Sequence, residues 1–328
     1  MISPTVLDIK NRVFEYYSAS GPVPALRGVD IKINSGETVA LIGESGCGKS
    51  TLALSVLRLI EPSEKYKSGG KVILNTAKKQ LDLTSISERN MQKVRGKQIA
   101  LVLQDPFNTF NPVIKIGKQM KEAFWAHKSK KNEESKPEKF ITEKLEKVHL
   151  PAPRRVMNSY PHQLSGGMLQ RAGIAAALLH DPPIIIADEP TSNLDVTIQK
   201  KVLSTLLELK QELKLSLLYI THDLNLIAGF SDRIYILYAG KIVETASTER
   251  IFNDPAHPYT RGLLNSLPDI KNPDRELVPI RKNVPSPENI PGGCPFNPRC
   301  PIKEKNCEIT EPKLLKVGKA HRVRCFKI

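Results

Sequence analysis

The 328-residue sequence predicts an α/β fold with a mainly parallel sheet, followed by a small irregular C-terminal appendage that carries cysteines. From residue 5 to about residue 250, short apolar runs alternate with helical patterns, which is typical of parallel strands joined by helices. Between about 105 and 165 strand patterns are absent and lysines and glutamates recur at helical spacing, so we expect a helical subdomain there. After about residue 265 prolines and then cysteines are frequent, which favours irregular structure over a continuation of the sheet.

These patterns divide the chain into a predicted main domain, residues 1–265, and an extension, residues 266–328. Apolar runs of strand length predict the strands 38–42, 98–103, 183–187, 215–220 and 233–238. Helical periodicity predicts the helices 50–60, 166–179 and 196–213.

The composition is that of an ordinary globular protein, with 40% hydrophobic and 25% charged residues. No apolar run approaches the roughly 20 residues that span a bilayer, and the first residues lack the apolar core of a secretory signal. We therefore expect a cytoplasmic protein; if it serves a membrane, it does so through partners.

The net charge of +15 has two interpretations, attraction to nucleic acid or anionic lipid and a lysine-rich solvated surface. The excess is concentrated near the end of the chain, because residues 271–328 contain thirteen Lys and Arg against six Asp and Glu. Four of the five cysteines lie in the same region.

The first motif that carries chemistry is Gly-Glu-Ser-Gly-Cys-Gly-Lys-Ser-Thr at residues 43–51, which matches the P-loop pattern between a predicted strand and a predicted helix. Its glycines let backbone N–H groups turn toward phosphates, and the helix N-terminus adds partial positive charge. Lys49 can reach the β- and γ-phosphates, and Ser50 can ligate Mg²⁺. The whole loop is therefore a predicted ATP site, with the residues Gly43, Glu44, Ser45, Gly46, Cys47, Gly48, Lys49, Ser50 and Thr51.

A second motif is the apolar strand that runs into Asp188 and Glu189. Such a strand brings both carboxylates to the sheet edge where the P-loop is expected. Asp188 would then hold Mg²⁺ and Glu189 would polarise the attacking water as general base. Without the P-loop, an ordinary acidic turn would explain this pair equally well.

The segment Leu-Ser-Gly-Gly-Met-Leu-Gln-Arg at 164–171 resembles the signature motif of ABC transporter ATPases. A serine and two glycines that open a helix form an anion site without a lysine. The resemblance implies that this motif closes over the γ-phosphate held by the P-loop of an opposite subunit. The residues implied in this contact are Leu164, Ser165, Gly166, Gly167 and Gln170.

The resemblance extends along nearly the whole chain and implies further roles. Gln104 stands at the position of the glutamine near Mg²⁺ and the transmembrane subunits, and His222 at that of the switch histidine that contacts the γ-phosphate. The D-loop is Ser192, Asn193, Leu194 and Asp195, where Asn193 departs from the small residue that is more common in the family. An aromatic residue upstream of the P-loop should stack on adenine, and Tyr16 is preferred over the adjacent Tyr17.

Two segments, 251–260 and 262–268, narrow the resemblance to the oligopeptide/dipeptide branch of ABC importers, which is similar in sequence to nickel importers. The resemblance implies an ATPase subunit that powers peptide uptake, partnered by a second, similar ATPase chain, two permeases and an extracytoplasmic solute-binding protein. The alternatives are an importer ATPase for nickel or another solute, a soluble ABC ATPase that acts on nucleic acid, and a purely regulatory ATP-binding subunit. The complete catalytic set opposes the last of these, and no nucleic-acid partner is expected.

The remaining motif is formed by Cys294, Cys300, Cys307 and Cys325, separated by five, six and seventeen residues. The segment 294–300 resembles that of peptide-importer ATPases in which four cysteines hold a 4Fe–4S cluster, and thiolates are the usual ligands of such clusters. Zinc is the main alternative, although its sites usually contain closer cysteine pairs. Unliganded thiols are a further alternative, whereas disulfides are not expected in the cytoplasm.

Overall fold

A computed structural model describes residues 4–19, 21–60, 65–127, 136–267 and 278–328. Its strands are β1 (Thr5–Ser18), β2 (Gly21–Asn34), β3 (Thr38–Ile42), β4 (Tyr66–Asn75), β5 (Gln80–Asp82), β6 (Ile99–Val102), β7 (Ile184–Asp188), β8 (Ser216–Thr221), β9 (Arg233–Tyr238), β10 (Lys241–Ser247), β11 (Leu315–Gly318) and β12 (His321–Val323). Its helices are α1 (Lys49–Val56), α2 (Glu88–Gln92), α3 (Pro106–Thr109), α4 (Ile116–Trp125), α5 (Pro137–Lys147), α6 (Pro153–Asn158), α7 (Gly166–Ala177), α8 (Val196–Leu213), α9 (Thr248–Asn253), α10 (Pro258–Asn265) and α11 (Lys305–Ile309). Short 3₁₀ turns lie at Pro161–Gln163, Asn225–Ile227, Pro287–Asn289 and Asn297–Arg299.

The chain divides into two compact units, one formed mainly by residues 86–219 and the other by 5–85 together with 220–328. In the first unit, β6 and β7 pair in parallel, and α7 packs against β6, α3, α5 and α8. Every residue of β7 is buried, as expected of a strand covered on both faces. Helices α3 to α6 occupy the predicted helical stretch, whose residues 128–135 lie outside the described ones, and no strand occurs in its described part.

The second unit contains an antiparallel sheet with the strand order β2-β1-β4-β5. It also contains the neighbouring strands β11-β12-β10-β9-β3, in which β3 pairs in parallel with β9. All five residues of β3 are buried, so the loop that follows this strand starts from a fixed position in the core. The alternation of strands and helices predicted an α/β fold correctly, and the structure adds the antiparallel sheet.

The appendage differs from the prediction in one respect. Its hairpin β11–β12 continues a sheet, because β12 pairs antiparallel with β10 through Glu244–Val323 and Thr245–Arg322. The expectation that residues after about 265 do not extend the sheet is therefore wrong for this hairpin. No proline follows Pro312, so the residues that form the hairpin can use all their backbone donors.

Most predicted element ends agree with the structure to within one or two residues. The main exception is α1, which was predicted to reach residue 60 and ends at Val56. Arg58 has a φ of 52°, so the backbone leaves the right-handed helical region there. Among the described residues, no helix is long and apolar enough to cross a membrane.

Candidate nucleotide-binding and catalytic site

The loop 43–51 joins buried β3 to helix α1 in the second unit, which is the predicted strand–loop–helix arrangement. Gly48 caps the helix with a φ of 106°, and a Cβ atom placed there would lie 2.3 Å from the carbonyl oxygen of Ala25. A Cβ on Gly43 would lie 2.4 Å from the carbonyl oxygen of Leu237. Only glycine fits these positions, so neighbouring backbone determines the course of the loop.

Lys49 folds back over this loop and is only 5% exposed. Its Nζ donates to the carbonyl oxygen of Gly43 at 2.8 Å and to that of Glu44 at 3.2 Å. Ser50 is exposed in the first turn of α1, where unpaired backbone N–H groups attract anions. A cation, a hydroxyl and a helix N-terminus thus lie within one short segment, which is the chemistry required to bind phosphates.

Cys47 is the only buried side chain of the loop besides Lys49, with 1% exposure. Burial raises the pKa of the Cys47 thiol to about 11, so it stays protonated near neutral pH. The loop therefore accommodates Cys47 as a small, buried and protonated side chain. Ser45 and Gly46 are exposed, and Glu44 is intermediate.

The two candidate adenine-stacking tyrosines differ in their surroundings. The hydroxyl of Tyr16 lies 3.3 Å from Oγ1 of Thr51, the last residue of the loop. Tyr17 is 47% exposed, and its backbone N–H donates to the carbonyl of Lys65. The contact with Thr51 favours Tyr16 for the predicted role.

In the first unit, the structure brings Gln104 and Glu189 together. Nε2 of Gln104 donates to Oε2 of Glu189 at 3.2 Å, although the residues are 85 positions apart. Asp188 ends β7 with 4% exposure, and Glu189 follows with 9% exposure and a φ of 43°. A glutamate in this sparsely populated conformation indicates that the local structure holds it in place, as occurs at functional sites. A carboxylate fixed by an amide can orient a water molecule.

The D-loop connects this carboxylate to α8. Ser192 donates from Oγ to the carbonyl oxygen of Glu189 at 3.1 Å, and Asp195 caps α8 by accepting from the N–H groups of Thr197 and Ile198, both at 3.0 Å. Leu194 lies against Gly166, since a Cβ on that glycine would be 3.5 Å from Leu194 Cδ2. Asn193 lies between these anchored residues and is exposed.

The signature segment begins α7, with Ser165 as its cap at 3.4 Å from the N–H of Met168. Ser165 is exposed, while Leu164 is 9% exposed. A Cβ on Gly167 would approach Cγ2 of Ile198 to 2.5 Å, so this glycine allows α7 to pack against α8. Gln170 is only 2% exposed. Its side chain is therefore buried in this chain, and its contact with nucleotide on another chain stays a prediction.

His222 immediately follows β8 and has an exposed side chain. The next residue, Asp223, is tied to the strand end because its N–H donates to Oγ1 of Thr221 at 3.0 Å. A histidine placed on the anchored end of a buried strand has a defined position and remains accessible to a ligand.

The four appendage cysteines line one small cavity of about 20 Å³. The loop that carries Cys294 is held close to Cys307, because the Cys294 N–H donates to the Cys307 carbonyl oxygen at 2.8 Å. Burial, and to a smaller extent the neighbouring thiols, raise the pKa of Cys294 to about 11, and burial also raises the pKa of Cys300 and Cys325. All five cysteines are free of disulfides. Within the described residues, no three His, Cys, Asp or Glu side chains stand in a metal-binding arrangement.

The sequence did not predict two residues that contact the P-loop. Tyr259, in the segment that narrowed the family resemblance, accepts the N–H of Glu44 at 3.1 Å through its hydroxyl oxygen. Arg299, between Cys294 and Cys300, forms an ion pair with the Glu44 carboxylate at 2.7 Å. Their position in recognisable motifs was the only signal, and nothing in the sequence joins those motifs to the loop.

Comparison with known proteins agrees with this geometry. Residues 26–192 match the family model described as ABC transporter, and residues 243–307 match that described as oligopeptide/dipeptide transporter, C-terminal region. The chain is 42% identical to the oligopeptide transport ATP-binding protein AppD of Bacillus subtilis, over 98% of this chain and 96% of the relative. It is 38% identical to the dipeptide transport ATP-binding protein DppD of the same organism, over 98% and 94% of the two chains.

Among solved structures, the dimeric ABC transporter cassette MJ0796 has a TM-score of 0.63 and 30% identity, covering 74% of this chain and 98% of that one. A post-hydrolysis dimer of the same cassette, bound to ADP and Pi, has the same TM-score at 29% identity and the same coverage. The matched regions include the P-loop and the acidic strand described above. The chain therefore belongs to the ABC transporter ATPases, in the group of oligopeptide and dipeptide transport ATP-binding proteins.

Proposed function

We propose that this ATPase hydrolyses ATP to power the uptake of oligopeptides or dipeptides through an ABC importer. The proposal of hydrolysis rests on the hydrogen bond between Gln104 and Glu189, which holds a carboxylate where it can orient water. The proposal that peptides are the transported solute rests on the match of residues 243–307 to the oligopeptide/dipeptide transporter C-terminal region. The same match, with the full-length relatives, favours peptides over nickel and over an ATPase that acts on nucleic acid.

In this proposal the P-loop binds the phosphates of ATP through its backbone, Lys49 and Thr51. Ser50, Gln104 and Asp188 are the residues that would hold Mg²⁺, whose charge lowers the cost of developing negative charge on the phosphates. Glu189 accepts a proton from water, His222 contacts the γ-phosphate, and Tyr16 stacks on adenine. The exposed Ser165, with Gly166 and Gly167, contacts nucleotide held by a second ATPase chain.

Replacement of Glu189 tests the assignment of the general base. Glu189→Gln should lower ATP turnover about 10²- to 10⁴-fold, because the amide cannot accept the proton, while ATP binding persists. Turnover is measured as phosphate release and binding by equilibrium titration, with Glu212→Gln as the control for an exposed carboxylate on α8. Unchanged turnover in the Glu189 variant would remove Glu189 from this role.

Transport itself is tested in cells from which the gene has been deleted. We expect these cells to lose uptake of labelled oligopeptides or dipeptides, and the wild-type chain but not the Glu189 variant to restore it. Loss of nickel uptake with normal peptide uptake would instead assign the transporter to the metal.

We further propose the wider assembly, in which the chain works with a second, similar ATPase, two permeases and a solute-binding protein at the cytoplasmic face of the membrane. Residues 1–265 would act as the ATPase domain, with 105–165 as its helical subdomain, and 266–328 as the extension. Support comes from the relatives, whose names describe peptide transport or import ATP-binding proteins.

We infer that the four appendage cysteines bind a metal centre of the 4Fe–4S type. Their lining of one cavity supports this, since thiolates are the usual ligands of iron–sulfur clusters, although no three of the described side chains are arranged to hold a metal in this structure. The cavity of about 20 Å³ has room for about one water molecule, so the thiols must turn or move apart to admit a cluster.

Metal and sulfide analysis of protein purified without oxygen tests this inference. We expect about four iron and four sulfide per chain with visible absorbance, and loss of both in Cys300→Ser, as the ligand set requires. Cys47→Ser is the matched control, because Cys47 lies in the P-loop outside the cavity. Stoichiometric zinc without sulfide, or no metal at all, would contradict the cluster.

A further inference from the structure

Arg299 reaches from the cysteine-bearing appendage into the P-loop. Its Nη1 donates to Oε2 of Glu44 at 2.7 Å and its Nη2 to Oε1 at 3.0 Å, so the guanidinium holds the carboxylate with two parallel hydrogen bonds. The Arg299 side chain is 3% exposed, whereas that of Glu44 is 30% exposed. A bidentate contact of this kind determines the orientation of a carboxylate and also offsets its negative charge.

The guanidinium is itself held in place by other residues of the second unit. Its Nε donates to the carbonyl oxygen of Arg281 at 3.1 Å, and Nη1 also lies 3.4 Å from the hydroxyl of Tyr238. The preceding Asn297 ties the cysteine loop together by donating from Nδ2 to the carbonyl oxygens of Gly292 and Cys294, both at 2.9 Å. The position of the positive charge therefore depends on the fold of the appendage.

Glu44 is held at three of its groups. Its N–H donates to the Tyr259 hydroxyl at 3.1 Å, its carbonyl oxygen accepts from Lys49 Nζ at 3.2 Å, and its carboxylate is bound by Arg299. Tyr259 and Arg299 both come from the last quarter of the chain, more than two hundred residues after the P-loop. The loop residue that helps to seat the phosphate-binding lysine is thus anchored from outside the loop.

The charge of Glu44 is unfavourable for the ligand. A carboxylate within a loop that binds a polyphosphate repels it, and the repulsion is strongest when solvent screening is incomplete. Pairing with Arg299 cancels this charge locally and directs the carboxylate toward the appendage. Removal of the arginine would leave the negative charge in place and free to turn toward the phosphates.

We propose that Arg299 is a positioning residue for the nucleotide site, through which the cysteine-bearing appendage sets the affinity of the P-loop for ATP. The inference rests on the proposed function of the loop as the ATP site. In this proposal Arg299 acts through its contact with Glu44 rather than by binding the phosphates itself.

The test is an equilibrium titration of the purified full-length chain with Mg²⁺-ATP and with Mg²⁺-ADP. We expect Arg299→Gln to raise the Kd for ATP about tenfold, and the Kd for ADP less, because ADP carries less negative charge. The double variant Glu44→Gln/Arg299→Gln should recover an affinity within about threefold of the wild type, since the repelling charge is gone. Glu44→Gln alone leaves a buried guanidinium without its carboxylate and should lower the thermal stability, which the double variant restores.

Arg299→Lys gives a second variant in case Arg299→Gln folds poorly. Lysine keeps the positive charge without the fork, so its ATP affinity should fall between those of the wild type and Arg299→Gln. The proposal is overturned if Arg299→Gln binds ATP as the wild type does, or if the double variant is as weak as Arg299→Gln, as a purely structural role would require. Failure of the wild-type chain itself to bind ATP would instead overturn the proposed function.

Discussion

The P-loop, residues 43–51, and the cysteine loop, residues 294–300, meet at one ion pair but owe their shapes to different forces. The P-loop is shaped by backbone, since glycines are required where it approaches the carbonyls of Ala25 and Leu237. The cysteine loop is shaped by side chains, with Phe296 only 2% exposed and Asn297 bound to two carbonyl oxygens. The P-loop is thus specified by glycines within the loop, and the cysteine loop by the contacts that its side chains make with other segments.

This difference explains how much of the shape of each loop can be recognised in the sequence. A requirement for glycine at fixed positions produces a motif that can be read in any sequence. The cysteines of 294–300 can be read in the sequence as well, but the packing of this loop against distant aromatic rings leaves no pattern, because many side-chain combinations fill a cavity equally well. Their contact at Arg299 and Glu44 joins a recognisable element to one whose role depends on tertiary structure.

The largest expected change in stability comes from the cysteine loop. The Phe296 ring packs against Tyr238, Tyr259 and His257, with ring centroids 5.3, 5.4 and 5.8 Å away. Phe296→Ala should lower the free energy of unfolding by about 3–5 kcal/mol, because it removes a buried ring and leaves a cavity. The measurement is denaturant unfolding of the full-length chain.

Phe326→Ala is the matched control in the same appendage, because this ring is 37% exposed and should cost much less. Equal losses in the two variants would show that side-chain packing does not determine the cysteine loop, and the comparison between the loops would fail.

A smaller effect on stability is expected in the P-loop, where it should come from strain in the backbone. Gly48→Ala forces a side chain into a φ of 106° and against the Ala25 carbonyl oxygen, 2.3 Å away. We expect strain to lower the free energy of unfolding by roughly 1–3 kcal/mol and ATP binding to become weaker. Thermal unfolding and ATP titration measure the two effects.

Gly46→Ala separates strain from the close approach. Gly46 also has a positive φ, of 80°, but a Cβ there would have no atom within 4 Å. The Gly48 variant should therefore be the less stable of the two and the weaker binder. If the two variants behave alike, close approach of neighbouring backbone does not determine the course of the loop.

Much of the fold and of the site could be predicted because the relevant signals are local. The strand 233–238 and the helix 196–213 agree with β9 and α8 residue for residue, since an apolar run marks the strand and helical periodicity marks the helix. The burial of Gln170 could not be predicted, because it depends on how α7 packs in the fold, which its motif does not encode. The hairpin β11–β12 was missed because its partner, β10, lies about eighty residues earlier in the chain.

By itself, the sequence determined the family and the α/β fold and predicted the residues that bind phosphate, because backbone conformation and motif spacing are properties of short segments. Tertiary structure alone decided that Gln104 meets Glu189, that the four cysteines share one cavity and that Arg299 neutralises Glu44. The Arg299 pair joins residues 255 positions apart. Contacts at such separations form only when the core has folded, since they depend on the combined geometry of many elements rather than on the pattern of any one.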